Sequence, residues 1–357
     1  MQRLKNTLSS IEYVDYSLAE KTQRHLDNLT KPQGSLGRLE ELAKQIVQIT
    51  RNETPSLKNK IIITMAGDHG VAREGVSAFP QEVTAQMVYN FIKGGAGINV
   101  LARHVGAKVV VVDMGVANKI KIQKSKFKNF KGKKINFGTK NIADGPAMTR
   151  KEAIRAIEVG IEVFENEFKK GLDIVGTGDM GIGNTTPSSA IAASITGEAI
   201  ENVVGRGTGI DDATFNNKIR VIKKALRLNK PNPKDAIDVL SKVGGFEIGG
   251  LAGVILAAAS KRIPVVIDGF ISGAAGLIAY QLEPRVKDYM IASHCSVEKG
   301  HRFILDYMGL SPILNLNLRL GEGTGAALGI AIIESAIKIL TEMATFQSAS
   351  VSERIDK

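Results

Sequence analysis

Four short runs of β-branched and aliphatic residues constrain the fold of this 357-residue chain more than any other feature. The runs cover residues 61–64, 109–112, 172–175 and 265–267, and glycine and aspartate follow each of them before a helical pattern begins. Buried parallel strands that alternate with helices predict an α/β fold with a doubly wound, mostly parallel sheet. Ligands of such sheets bind beyond the carboxyl ends of the strands, where the Gly/Asp segments lie.

The two ends of the chain have a different pattern. Residues 1–50 and 330–345 show helical periodicity with no strand between the helices. This predicts that the two termini form a small helical domain. The predicted division is a large α/β domain over 56–329 and a helical domain over 1–55 plus 330–357.

Composition narrows the cellular setting. Cys295 is the single cysteine, so the chain can form neither a disulfide framework nor a thiolate zinc site, and a reducing compartment is expected. The charged N-terminus lacks the apolar core of a signal peptide, and no stretch reaches about 20 uncharged apolar residues. These features predict a cytoplasmic protein that has no membrane partner.

The net charge of +11 is mostly local. Eight lysines lie between Lys119 and Lys134 without an acid among them, and Phe127 and Phe130 are interspersed with them. A solvated edge or loop is the favoured interpretation, since charge runs are usually solvated. The alternative is an RNA-binding patch, but the run has no arginine and no recognisable RNA-binding fingerprint.

The first segment with chemical content covers residues 176–189, where Gly176, Gly178 and Gly181 satisfy G-x-G-x-x-G after a predicted strand. A dinucleotide site would need a second strand that ends in an acid about 20 residues later. Residues 190–201 look helical instead, which disfavours NAD. A strand-to-helix turn with free backbone N–H groups, which suits a phosphate, is the favoured interpretation over a tight turn capped by hydroxyls.

The second segment is the glycine-rich stretch 205–212, with Lys218 downstream. Asp211 and Asp212 look like the start of the loop that binds a sugar diphosphate in ordinary phosphoribosyltransferases, but the Thr-Gly that should follow is missing. A monophosphate therefore fits better, with Lys218 as a point charge. An ordinary surface lysine is the alternative.

Two carboxylates occupy comparable positions later in the chain. Glu322 is framed by glycines before a small-residue helix, and Asp268 ends the run 265–267. Glu322 is expected to face a ligand, although an acid that complements a helix dipole would also account for it. For Asp268, a partner of a ribose hydroxyl and a helix cap remain alternatives.

The fourth segment, 66–80, contains Asp68 and His69, but the remaining histidines lack the spacing of metal ligands. No metal or other cofactor is predicted. Ser77, Phe79 and, on the next helix, Gln86 offer the mixture of apolar and hydrogen-bonding groups that suits a flat heteroaromatic base. Core packing is the alternative for Phe79.

Together these segments resemble the nicotinate-nucleotide:dimethylbenzimidazole phosphoribosyltransferase family over nearly the whole chain. Eight motifs in the same order carry the resemblance: KPQGSLGRLE (31–40), AGDHGVAREGVSAFPQEVTAQMV (66–88), GTKNIADGPAM (138–148), VGTGDMGIGNTTPSS (175–189), GRGTGIDD (205–212), IDGFISGAAG (267–276), ASHCSVEKGH (292–301) and LGEGTGAAL (320–328).

The resemblance implies a Rossmann-like sheet, a homodimer with its active site near the interface, and transfer of phosphoribose from nicotinate mononucleotide to dimethylbenzimidazole. Glu322 would be the general base and Asp179 would lie near the ribose. The remaining implied contacts are Gly176, Gly178, Gly181, Lys218 and Ser296 around the phosphate, and Ser77, Gln86 and Leu320 around the benzimidazole.

This sequence departs from the family's expected pattern at one position, because Asp179 stands where a glutamate is expected. The acceptor also stays open at this point, since such a pocket would admit benzimidazole, adenine or phenolic analogues. Two other functions compete with the transferase: an NAD-dependent oxidoreductase, and a non-enzymatic protein that binds nucleotide or RNA through the lysine run.

Overall fold

The computed structural model describes residues 1–122 and 128–352. Six strands form one sheet in the order β3-β2-β1-β4-β5-β6, and every neighbouring pair is parallel. The strands are β1 (Lys60–Gly67), β2 (Ala107–Gly115), β3 (Phe130–Gly132), β4 (Ile174–Met180), β5 (Val265–Ile267) and β6 (Met290–Ala292). This is the strand order of a Rossmann-type sheet, so the predicted doubly wound α/β fold is confirmed.

Helices cover both faces and both ends of the sheet. They are α1 (Gln2–Ser9), α2 (Leu18–Asp27), α3 (Arg38–Thr50), α4 (Glu82–Lys93), α5 (Gly97–His104), α6 (Arg150–Phe168), α7 (Thr185–Thr196), α8 (Ile200–Val203), α9 (Asp212–Asn229), α10 (Ala236–Val243), α11 (Phe246–Ser260), α12 (Phe270–Leu282), α13 (Lys299–Met308), α14 (Thr324–Glu342) and α15 (Phe346–Ala349).

The side chains of each strand alternate between two hydrophobic cores. In β1, Ile61 and Ile63 face the core that α6, α11 and α12 cover. Ile62 and Ala66 face the second core, which α3, α4, α5 and α14 cover. Because both faces of the sheet are buried, the strands appear in the sequence as continuous apolar runs without alternation.

All four predicted strands are present, and the structure adds two that the sequence did not reveal. β3 and β6 have three residues each and lie at the two edges of the sheet, where a short strand has little apolar pattern to recognise. β3 lies within the lysine run, which thus forms the outermost strand on that side. Residues 123–127 of that run lie outside the described residues.

The termini meet around α14. Leu29 forms an antiparallel bridge with Thr345, and α3 packs on α14. By contrast, α1 packs on α6 and α11 at the opposite face of the sheet, and α14 runs across the predicted boundary at 329. The division into 56–329 and 1–55 plus 330–357 stays a prediction.

The length and apolar composition of α14 would suffice for a membrane span. In the structure α14 packs against β1, β4 and β5, and Ile330, Ile333 and Ile337 are buried in the second core. The apolar character of this helix is therefore accounted for by its contacts with the sheet.

The close approach of α6 to α11 depends on glycine. A Cβ atom on Gly160 of α6 would lie 1.8 Å from the carbonyl oxygen of Gly250 in α11. We therefore expect Gly160→Ala to lower the free energy of unfolding by about 1–3 kcal/mol, because the two helices must move apart.

Gly145→Ala is the matched control. No atom lies within 4 Å of the Cβ position of Gly145, so this change should alter stability by less than about 0.5 kcal/mol. Urea denaturation followed by circular dichroism would measure both variants. Equal stabilities would contradict the packing assigned to α6 and α11.

Candidate active site

A cavity of about 310 Å³ opens at the carboxyl edge of the sheet, beside the ends of β4 and β5. This is where a doubly wound sheet is expected to bind its ligand. Seven of the residues predicted from the sequence line the cavity together: Ser77, Phe79, Asp179, Gly181, Ser296, Leu320 and Glu322.

Glu322 is held in an unusual backbone conformation. It has a φ of +66° and lies between Gly321 at +77° and Gly323 at +101°, so three successive residues are left-handed. A side chain is rarely found there, and the surrounding structure must hold it in place. Thr64 of β1 does so by donating its hydroxyl to the Glu322 carbonyl at 2.9 Å, and the Glu322 N–H donates to the carbonyl of Asp179 at 3.2 Å.

The Glu322 carboxylate is also anchored. Its Oε2 accepts the backbone N–H of Ile98 at 3.0 Å, in the first turn of α5, where the helix dipole favours a negative charge. Glu322 is buried and lines the cavity. Burial raises the pKa of its carboxyl above the ordinary value, while the N–H of Ile98 opposes the rise. The result is an oriented proton acceptor.

Asp179 ends β4 beside this turn. Its Oδ2 accepts from the Asn184 side chain at 2.9 Å, whereas Oδ1 is buried and has no hydrogen-bond partner within the described part of the chain. Burial and then the nearby Asp268 carboxyl raise the pKa of Asp179 well above its ordinary value. A buried carboxyl oxygen that lacks a hydrogen-bond partner is uncommon in folded proteins, so Asp179 stands out among the residues of this cavity.

Asp268 caps a helix and does not line the cavity, which corrects its prediction as a phosphate or ribose contact. Its Oδ2 accepts from Gly323 N and its Oδ1 from Ala326 N, both at 3.0 Å, at the start of α14. The side chain is fully buried, and burial raises its pKa to about 7 against the effect of these N–H groups. Asp268 thus fixes the turn that carries Glu322.

Gly176 and Gly178 also need correction, because they lie inside β4 and outside the cavity lining. A Cβ on Gly178 would come within 2.2 Å of the Glu322 carbonyl oxygen, and one on Gly176 within 2.4 Å of Ile62. These glycines therefore permit close packing and do not form a phosphate-binding turn. A dinucleotide site would need a phosphate-binding turn at these glycines, and β4 continues through them instead.

The third glycine of the motif does line the cavity. A Cβ on Gly181 would lie 2.3 Å from the carbonyl oxygen of Gly67. Below it, His69 Nε2 lies 2.7 Å from Glu247 Oε1, with both side chains buried. Burial lowers the pKa of His69, but Glu247 outweighs it, so the net shift is upward. Among the described residues no group of His, Cys, Asp and Glu is arranged to hold a metal ion.

Lys218 lies behind the cavity wall and does not line the cavity itself. Its Nζ is fully buried and donates to Thr185 Oγ1 at 2.7 Å and to the carbonyl oxygen of Gly205 at 3.2 Å. Burial lowers the pKa of Lys218 to about 8, and the charge of Glu298 opposes the fall. Lys218 therefore supports the wall residue Thr185 in this structure, and its role as a phosphate contact stays a prediction.

The apolar side of the cavity comes from the loop before α4, from α4 itself and from Leu320. Phe79 and Leu320 are 52% and 59% exposed, so neither belongs to the core. Val83 and Met87 of α4 line the cavity, one helical turn apart. Gln86 of α4 is exposed and is not among the residues that line the cavity, and its role as a base contact stays a prediction.

Sequence reasoning missed several residues that line the cavity. They include Thr208, His294, Glu298 and Arg319. Arg319 and Glu298 both lie within or beside segments that the sequence had marked, 320–328 and 292–301. Their position in or next to a motif was the one signal in the sequence that could have identified them. The local sequence does not indicate which way such a side chain points.

Comparisons with known proteins identify the family of this chain. The phosphoribosyltransferase family model DBI_PRT matches residues 11–351. A protein of Geobacter sulfurreducens named nicotinate-nucleotide–dimethylbenzimidazole phosphoribosyltransferase is 56% identical over 99% of both chains. A protein of the same name from Roseiflexus sp. is 54% identical over the full length of both.

A solved structure extends the agreement to the fold. The crystal structure of CobT from Thermus thermophilus superposes with a TM-score of 0.90 at 40% identity, and the match covers 95% of this chain and all of that one. With this coverage and identity, the chain belongs to the nicotinate-nucleotide:dimethylbenzimidazole phosphoribosyltransferase family.

Proposed function

We propose that the protein transfers the 5-phosphoribosyl group of nicotinate mononucleotide to 5,6-dimethylbenzimidazole, giving nicotinate and α-ribazole 5′-phosphate for cobalamin biosynthesis. The observation that carries the proposal is the Glu322 carboxylate, which a strained turn and the Ile98 N–H hold at the wall of a half-apolar cavity. The names of the relatives supply the substrates. The oxidoreductase and RNA-binding alternatives gain no support from them.

The chemistry of the donor needs little help from the protein. The leaving group of nicotinate mononucleotide is a pyridinium nitrogen, which departs as a neutral pyridine and requires no general acid. The acceptor does need help, because one benzimidazole nitrogen attacks C1′ while the other must lose its proton. A carboxylate within about 3 Å of that N–H provides base catalysis, and we assign this role to Glu322.

The two carboxyls have different tasks in this proposal. Displacement at C1′ passes through an oxocarbenium-like state and inverts the β-nucleotide to an α-riboside, as in glycoside hydrolysis. Glu322 supplies negative charge near this centre. Asp179, whose raised pKa favours the neutral form, lines the same cavity and is assigned to the ribose.

The remaining contacts follow from the lining of the cavity. Gly181, Ser296 and the 205–209 loop, with Lys218 behind it, are assigned to the phosphate. Ser77, Phe79 and Leu320 are assigned to the flat acceptor. Much of the rate enhancement then comes from holding two rings on opposite faces of one ribose.

We further propose that the protein works as a cytoplasmic homodimer without a nucleic-acid or membrane partner. The exposed Phe79 and Leu320 at the cavity support a partner subunit close to the site, because large apolar side chains are seldom left uncovered together. The single cysteine supports a reducing compartment.

The test of the function is an assay with nicotinate mononucleotide and dimethylbenzimidazole in the presence of a chelator. Nicotinate and α-ribazole 5′-phosphate should appear in equal amounts by chromatography and mass spectrometry. Nicotinate released without a ribazole product would indicate hydrolysis and contradict the transfer.

Glu322→Gln should lower kcat by about 10²–10⁴-fold, because the amide cannot accept the proton, while KM changes little. Steady-state kinetics would measure both parameters. Glu342→Gln is the matched control, an exposed acid at the C-terminal end of α14, the helix that follows Glu322, and should behave as wild type. Unchanged kcat in Glu322→Gln would remove this residue from the mechanism.

The pH profile gives an independent prediction. Burial raises the pKa of Glu322, and a base works only when deprotonated, so activity should fall as the pH drops through a value above 4.5, the ordinary pKa of a glutamate. The residual activity of Glu322→Gln should lack this acid limb. An identical limb in both proteins would assign the titration to another group, such as Asp268.

A further inference from the structure

The 205–209 loop, which we assign to the phosphate, is also hydrogen-bonded to the loop that carries the acceptor contacts. The hydroxyl oxygen of Thr208 accepts the backbone N–H of Ala78 at 3.3 Å, and Thr208 lines the cavity. Ala78 lies between Ser77 and Phe79, the two residues of its loop that line the cavity and are assigned to the flat base. A side chain on the phosphate side of the cavity therefore holds the backbone on the other side.

Residues 76–79 have few other attachments. They form neither helix nor strand, and Val76 alone of the four is buried in the core. The Phe79 N–H donates to the Ser77 hydroxyl at 3.3 Å, within the loop itself. Among the described residues, the bond to Thr208 is the one hydrogen bond that ties these four residues to another segment of the chain. Without it, Ser77 and Phe79 would depend on the packing of Val76 for their position.

Thr208 is itself held in place, because Gly207 next to it is fixed on both sides. The Gly207 N–H donates to Glu298 Oε1 at 2.7 Å, and the Gly207 carbonyl accepts from Arg319 Nη1 at 3.1 Å. Arg319 directly precedes Leu320, the third residue assigned to the flat base. The 205–209 loop thus contacts both chain segments that carry the residues assigned to the base.

We propose that Thr208 is a positioning residue for the acceptor, whose hydroxyl holds Ser77 and Phe79 at the cavity before the flat base binds. The inference rests on the proposed function, since it concerns the acceptor subsite of that reaction. A loop that is ordered before binding loses less conformational entropy when the ligand arrives, so the ligand binds more tightly. Thr208 serves the acceptor in this way although it lies in the loop assigned to the phosphate of the donor.

The test is steady-state kinetics of the full-length protein with nicotinate mononucleotide and dimethylbenzimidazole. Thr208→Val keeps the shape of the side chain but removes the hydroxyl, so KM for dimethylbenzimidazole should rise about 3- to 10-fold, the value of one hydrogen bond. KM for nicotinate mononucleotide and kcat should change by less than about twofold, because neither the donor contacts nor Glu322 is altered. Thr208→Ser retains the hydroxyl and should restore KM for dimethylbenzimidazole to within about twofold of wild type.

Thr54→Val is the matched control. Thr54 is exposed and precedes the amino end of β1, on the side of the sheet away from the cavity, so this variant should have wild-type kinetics. Thr208 is also exposed, so its substitution leaves both cores intact. An unchanged KM for dimethylbenzimidazole in Thr208→Val, an equal rise in both KM values, or the same rise in Thr208→Ser would overturn the proposal.

Hydrogen–deuterium exchange is a second measurement, which does not depend on turnover. The amides of residues 76–79 should exchange faster in Thr208→Val than in wild type and Thr208→Ser, because the Ala78 N–H loses its partner. Equal exchange in wild type and Thr208→Val would overturn the proposal. A wild type without transferase activity would instead contradict the proposed function, so the two failures are distinguishable.

Discussion

The left-handed turn of Gly321, Glu322 and Gly323 is the constraint on which the candidate site depends. It persists because three elements hold it: the Thr64 hydroxyl on β1, the Asp179 carbonyl on β4 and the Asp268 carboxyl after β5. A non-glycine residue at positive φ costs of order 1–3 kcal/mol, which the rest of the fold must offset. The strained turn holds the Glu322 side chain in one orientation at the carboxyl edge of the sheet.

The charge around this turn is unbalanced. Asp179, Asp268, Glu322 and Glu247 are all buried, and the pKa shifts of Asp179 and Asp268 are upward because burial and mutual repulsion favour the neutral forms. The cations lie elsewhere, at the 205–209 loop with Lys218 and Arg319. The carboxyls at the centre of the cavity would suit a sugar carbon that becomes positive in the transition state.

Glycine has two distinct roles in this molecule. At Gly321 and Gly323 it permits a backbone conformation, with φ values of +77° and +101°. At Gly178 and Gly160 it permits close packing, of β4 on the Glu322 turn and of α6 on α11. Glycine can therefore serve either purpose, and the G-x-G-x-x-G pattern alone does not show that Gly176 and Gly178 lie inside β4 and permit close packing.

By itself the sequence determined the parallel sheet, four of its six strands and the loops that follow them, because hydrophobic periodicity and turn residues are local properties. It also placed Glu322, Asp179, Ser77 and Leu320 at one site through their motifs. Only the tertiary structure decided that Asp268 caps α14, that Lys218 lies behind the wall and that Glu298 and Arg319 border the cavity. The physical reason is that each of these roles depends on an atom many residues away in the chain, such as Gly323 N opposite Asp268 or Gly207 N opposite Glu298, and local spacing carries no information about such partners.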